Sequence, residues 1–193
     1  MSLVDRSESP VDLVELILRL HEALQGAKLP HAFGGALALA WCISEPRATA
    51  DIDLNVFVSV NEFNRVLAEL PAEITVTTRE RHLLERDGQV RLWWAGVPID
   101  LFLATSDYHD AVGGRIVFRP FAGADIPFLA CRDLAVFKAF FDRSKDWVDI
   151  EQMVLADSFD VSDVIAELSE HLGPDDHRIA RLEALRKQIA DSA

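Results

Sequence analysis

Phe33-Gly34-Gly35-Ala36, followed by Arg47-Ala48-Thr49-Ala50-Asp51-Ile52-Asp53-Leu54, is the stretch on which the fold turns. His31-Ala32-Phe33 reads as a short buried strand running into the two glycines. Ala36 to Ile43 is rich in Ala and Leu and reads as a helix that stops near Pro46. From Asp51 to Val58 the residues alternate, and Val56, Phe57 and Val58 favour a strand. On a strand, residues two apart share a face, so Asp51 and Asp53 point the same way, about 6–7 Å apart. Ile52, Leu54, Val56 and Val58 are left to fill the opposite, core face. Two carboxylates side by side repel, and each loses hydration if partly covered, so a cation between them is expected. A hard divalent ion, Mg2+ or alternatively Mn2+, suits that position, because it takes a few carboxylate oxygens and leaves the rest of its shell to phosphates and water.

A third carboxylate lies downstream. In Val97-Pro98-Ile99-Asp100-Leu101-Phe102-Leu103, Asp100 interrupts an apolar strand; Val97, Ile99, Leu101 and Leu103 share one face and Asp100 takes the other. If this strand lies beside Asp51 to Val58, three carboxylates converge. Such a set can hold two metal ions about 3.5–4 Å apart, the arrangement used for in-line phosphoryl displacement. Gly34-Gly35 supplies the complementary half: glycines let backbone approach a phosphate, and the helix start presents unpaired N–H groups to it.

Outward from this centre, Val11 to Leu24 has a helical apolar period closed by Gly26 and Pro30. Asn61 to Leu70 reads as a helix and the β-branched Glu73 to Thr78 as a strand. Arg79 to Asp87 reads as a helix ended by Gly88, and Gln89 to Trp94 with Val97 to Ala104 as a hairpin turning on Ala95-Gly96. One of Trp93 and Trp94 should be core and the other exposed. Tyr108 to Ala111 reads as a short helix and Arg115 to Arg119 as a strand, followed by a loop containing Pro120 and Gly123. Asp133 to Phe141, Ser144 to Ala156, Val161 to Leu172 and Asp175 to Ala190 read as helices. The expected fold is therefore α/β (α+β): a small mixed-sheet domain over residues 1–130, then a C-terminal helical segment over 131–193.

Composition bounds the partners. Among 193 residues, 32 Asp and Glu face 19 Lys and Arg, a net charge of −13. The excess is spread over both parts, with 18 acidic against 11 basic residues in 1–130 and 14 against 8 in 131–193. An extended nucleic-acid or anionic-membrane surface needs the opposite sign; a local patch at Arg79, Arg81, Arg86 and Arg91 leaves a narrow tRNA contact open. No 18-residue apolar run predicts a membrane helix, and the first residues lack the basic and apolar regions of a signal peptide. Cys42 and Cys131, far apart in apolar surroundings, read as reduced core residues, which suits a cytoplasmic protein. The six histidines show no zinc-ligand spacing.

Gly34-Gly35, fifteen residues, Asp51-x-Asp53 and the later Asp100 together resemble the nucleotidyltransferase (polymerase-β-like) superfamily. The form Gly34-Gly35-Ala36…Arg47-x-Thr49-x-Asp51-Ile52-Asp53-Leu54 is most similar to its small bacterial branches, including the abortive-infection (AbiE) toxin-like enzymes. Lys138…Arg143-Ser144-Lys145-Asp146-x-x-Asp149 also resembles that group. The resemblance implies Mg2+-dependent transfer of a nucleoside monophosphate from an NTP to an acceptor hydroxyl on tRNA, protein or a small molecule, with release of pyrophosphate. It also implies a toxin–antitoxin or phage-defence setting, with an antitoxin or toxin as protein partner. Gly34 and Gly35 would cradle the triphosphate. Asp51 and Asp53 would bind both metals, and Asp100 would help hold metal and activate the acceptor. Lys138 or Lys145 would neutralise phosphate charge. Many members have Ser where Gly35 stands, so here the phosphate contact must come from backbone.

Each residue also has a plainer reading. Arg47 and Thr49 either bind phosphate or shape the loop. On one continuous helix, Lys138, Asp142, Lys145 and Asp149 would share a solvated, salt-bridged face. The alternative function is a catalytically silent nucleotide- or partner-binding module on the same fold. An aminoglycoside-like cation would suit the acidity, although the residues between Gly35 and Asp51 lack the pattern of the antibiotic-modifying branches.

Overall fold

The computed structural model of the protein describes residues 12–192; Val11 and the N-terminal residues read above lie outside them. In chain order the elements are α1 (Leu13–Gly26), β1 (His31–Phe33), α2 (Gly35–Ile43), β2 (Ile52–Ser59), a 3-10 turn (Val60–Glu62), α3 (Phe63–Glu69), α4 (Thr78–Asp87), β3 (Gln89–Trp94) and β4 (Val97–Ala104). They continue with α5 (Asp107–Val112), β5 (Val117–Phe121), β6 (Ala124–Phe128), α6 (Cys131–Phe141), α7 (Ser144–Leu155), α8 (Val161–Leu172) and α9 (His177–Ser192). The expected mixed α/β architecture is present.

Six strands form one sheet in the order β3-β4-β2-β1-β6-β5. β2 runs parallel to β4 and antiparallel to β1, while β1 runs parallel to β6. The two edges are hairpins, β3–β4 and β5–β6. Strict alternation decides the faces. Ile52, Leu54 and Val56 of β2 and Ile99, Leu101 and Leu103 of β4 are buried on one side, where Arg19 of α1 lies over the Trp94 ring of β3. Trp94 is core and Trp93 is exposed. The other face, bearing Asp53, Asn55, Asp100 and Phe102, looks towards α5 and α6. One apolar cluster runs from Leu16, Ile17 and Leu20 of α1 through the sheet to Leu168 of α8 and Leu182 of α9.

Three sequence expectations are corrected. Glu73 to Thr78 is not a strand: its central stretch is loop, and Thr77 caps α4 by a reciprocal capping box with Glu80. β-branched composition favours strands only where a neighbouring strand is available, whereas this cap satisfies its N–H groups locally. The loop expected at Pro120 and Gly123 shrinks to a tight turn at Ala122-Gly123, with positive φ at both positions, between β5, which includes Pro120, and a further strand, β6. The two helices expected over Asp133–Phe141 and Ser144–Ala156 are present as α6 and α7, so the alternative of one continuous salt-bridged helix through Lys138 and Asp149 does not hold. Asp142 adopts the left-handed conformation and ends α6, held by the Trp147 indole N–H at 2.6 Å. Finally, Cys42 of α2 and Cys131 of α6 form a disulfide, their Cα atoms 5.6 Å apart. Sequence distance hid a pair that the packing of α2 on α6 brings together, and these cysteines say nothing of a reducing compartment. Among the described residues, no helix is long and apolar enough to cross a membrane.

Candidate active site

The parallel register of β2 and β4 sets Asp53 directly beside Asp100. Asp51, just before β2, completes the acidic group. Thr49 Oγ1 donates to Asp51 Oδ1 at 2.8 Å, and the Asp51 amide returns a longer bond of 3.3 Å to the same hydroxyl. Thr49 thus braces a carboxylate. Burial, then the charges of Asp51 and Asp100, raise the Asp53 carboxyl to about 6; Lys138 and Lys145 pull in the opposite direction.

Gly34 and Gly35 serve this carboxylate first. The Gly34 N–H donates to the Asp53 carbonyl at 2.9 Å, fixing β1 to β2. Gly35 has φ +53°, and a Cβ there would lie 1.7 Å from Asp53 Oδ2 and 2.6 Å from its Cγ. The glycine is required for both reasons: a conformation costly for L-residues, and space that Asp53 already fills. By helix geometry the first N–H groups of α2 have no partner within the helix.

Arg91 of β3 is the residue the sequence reading misplaced. It stands opposite Asp100 in the hairpin and binds it through both carboxylate oxygens, Nε to Oδ1 at 2.7 Å and Nη2 to Oδ2 at 2.6 Å. It also lies 4.0 Å from Asp51 Oδ2. The signal was available, since a two-residue turn at Ala95-Gly96 pairs 91 with 100. Two further members of the expected basic patch are engaged: Arg81 bonds Asn64, and Arg86 bonds Asp87.

Arg47 and Lys138 meet on Asp149 of α7. Arg47 Nη2 reaches Asp149 Oδ1 at 2.9 Å and Gln152 Oε1 at 2.6 Å. Lys138 Nζ reaches Asp149 Oδ2 at 2.7 Å and stands 3.7 Å from Asp146. Asp146 is fully buried and is also held by Arg143. This network ties the loop before β2 to α6 and α7. Lys145 is exposed and feels Asp53 only through its charge.

Asp51 and Asp53 fit a hard divalent cation by donor chemistry: two neighbouring carboxylates, one covered enough to hold its proton unusually high. Asp100 is turned onto Arg91. Among the described residues, no three His, Cys, Asp or Glu side chains gather closely enough to hold a metal.

No protein-family profile and no curated protein sequence matches the chain. Solved structures do. One is the antibiotic-resistance factor ANT(2'')-Ia in solution, with a TM-score of 0.52 at 17% identity, covering 93% of this chain and 91% of that one. The same protein in complex with adenylyl-2''-tobramycin gives 0.52 at 15% identity, over 93% and 97%. An antigenic nucleotidyltransferase-like protein from Paracoccidioides brasiliensis gives 0.51 at 15% identity, over 90% and 92%. At such identities the likeness is one of fold, and the fold is that of the small nucleotidyltransferases.

Proposed function

We propose that the protein transfers a nucleoside monophosphate from an NTP to an acceptor hydroxyl. The observation that supports this best is the in-register pairing of Asp53 with Asp100, with Asp51 alongside and Gly35 leaving the adjoining space to Asp53. Gly34, Gly35 and the start of α2 receive the triphosphate: the Gly34 amide stays on the Asp53 carbonyl, and the unpaired N–H groups from Gly35 onward face the β- and γ-phosphates. Asp51 and Asp53 would hold Mg2+, and a bound ion would neutralise phosphate charge and polarise the α-phosphoryl group. The acceptor oxygen bonds to the α-phosphorus, the bond to the α,β-bridging oxygen breaks, and its electron pair leaves with pyrophosphate. The acceptor proton passes to Asp100. Arg91 holds Asp100 until substrate competes for it, and Lys145 with Lys138 offsets the phosphates. Arg47 and Thr49 position the loop and Asp51.

The double variant Asp51→Ala/Asp53→Ala tests this reading. Calorimetric binding of Mg2+ and a non-hydrolysable NTP is expected to fall by at least tenfold, with unfolding temperature unchanged or slightly raised as repulsion is relieved. Undiminished binding would overturn the site. A second reading, binding without turnover, is favoured by one fact: Arg91 already satisfies both oxygens of Asp100. Incubation with α-labelled NTPs, total tRNA, protein extract and small alcohols separates the two, since turnover alone leaves label on an acceptor. The toxin-like setting rests on the sequence motifs.

A further inference from the structure

A cavity of about 390 Å3 runs inward from Gly35 and Asp53, between the sheet and α6, and its size is that of a small-ligand pocket. Asp53, Lys138 and Arg143 bring charge to its lining. Its walls carry rings: Phe102 of β4, Tyr108 of α5, and Phe137, Phe140 and the solvent-exposed Phe141 of α6. Tyr108 stands 5.6 Å from Phe137, and Phe102 stands 6.0 Å from Phe141, centroid to centroid. His109 lines the same cavity. It is 6% exposed, and its Nε2 is a buried side-chain nitrogen without a hydrogen-bond partner. Buried polar atoms are nearly always partnered, so an orphan beside a cavity points to something that fills it.

The cavity's direction indicates which substrate enters. In-line displacement sets the incoming oxygen and the departing pyrophosphate on opposite sides of the α-phosphorus. With the triphosphate at Gly34-Gly35, beside β1, the acceptor approaches from β4. The cavity extends that way, to Phe102, two residues beyond Asp100 on the same face, and to Gln89 opposite it on β3. The acids along its wall are already held by cations, Asp87 by Arg86 and Asp146 by Arg143, except Asp53 at the mouth. A polycation would find no free carboxylate inside and would lose its hydration against rings.

We infer that the acceptor is an uncharged alcohol carrying a flat ring system, seated between α6 and β4 with a polar atom on His109 Nε2 and its hydroxyl at Asp53 and Asp100. The inference rests on the nucleotidyl-transfer reading above, and the chemistry of the step is the one given there.

The test is an amide NMR titration of the full chain with 2-naphthylethanol, with tobramycin, and with the α,β-methylene analogue of ATP plus Mg2+. The naphthyl alcohol is expected to saturate shifts at Tyr108 and Phe137, alone and with the analogue bound. Tobramycin is expected to leave those amides unmoved. His109→Phe, which keeps the packing, and Phe102→Trp, which narrows the cavity, are each expected to weaken the alcohol at least tenfold. Displacement of the alcohol by the ATP analogue would assign the cavity to the nucleobase and overturn the inference, as would tobramycin shifting the same amides. So would affinities within twofold of wild type in both variants. Absent analogue binding beside intact alcohol binding overturns nucleotidyl transfer itself; the reverse pattern overturns this inference alone.

Discussion

Gly35 and Asp53 are one unit. A methyl group at Gly35 meets Asp53 Oδ2 at 1.7 Å and must also be carried at φ +53°. Gly35→Ala should cost about 1–2 kcal/mol for the backbone alone. It should also push Asp53 away from Asp51, so nucleotide affinity should fall by tenfold or more; calorimetry and urea unfolding read the two effects separately. A second residue-scale effect concerns acid. His31 donates from Nδ1 to the Leu29 carbonyl, which obliges its Nε2 to accept from His21. Burial lowers the His31 pKa to about 4 from 6.5. The unfolded chain therefore binds the extra proton first. This contribution to stability is complete above about pH 6.5 and is lost as pH falls towards 4, on the order of 3 kcal/mol. His109, lowered to about 4 by burial, acts in the same direction and window. Equal urea midpoints at pH 7 and pH 4.5 would contradict both.

At the scale of elements, the strands of the site and the break between α6 and α7 were legible, and the contacts made across that break were not. β1, β2 and the β3–β4 hairpin follow from alternation and a two-residue turn, which are local properties, and the placement of Asp53 beside Asp100 needed only the further step of strand pairing. Lys138 shows where local reasoning ends. Its plainer reading, a solvated face shared with Asp142, Lys145 and Asp149 on one continuous helix, fails because the left-handed Asp142 ends α6. Lys138 becomes buried between Asp146 and Asp149, contacts set by tertiary packing and invisible to spacing. Lys138→Met leaves a buried carboxylate pair with less compensation and should cost on the order of 3–5 kcal/mol. Lys145→Met, at an exposed position, should change stability by less than about 0.5 kcal/mol. Chemical denaturation of the two variants side by side checks the contrast.

For the whole molecule, the disulfide is the longest-range covalent constraint among the described residues, spanning a separation of 89. It joins the helix that begins at the Gly34-Gly35 cradle to the helix that carries Lys138 and the cavity rings. The paired variant Cys42→Ser/Cys131→Ser should lose about 2–4 kcal/mol, because the unfolded chain regains a long loop's freedom. Thermal unfolding with and without reductant should show the same difference in the wild type and none in the variant. Neither cysteine's neighbours in sequence announce this pairing.

The parallel register of β2 and β4 has a consequence for how the chain can change length. Side chains alternate with a period of two, so slipping β4 by one residue against β2 would bring Asp100 to the core face beside Leu54 and turn Leu101 and Leu103 outward. A single-residue insertion or deletion within β2 or β4 is therefore doubly costly: it dismantles the acidic group and drives a charge into the core. A two-residue change keeps the faces and shifts only the pairing. Length variation among descendants of this chain is thus confined to loops or to even steps in these strands, and misregistered folding is penalised by the same carboxylates that the proposed chemistry would use.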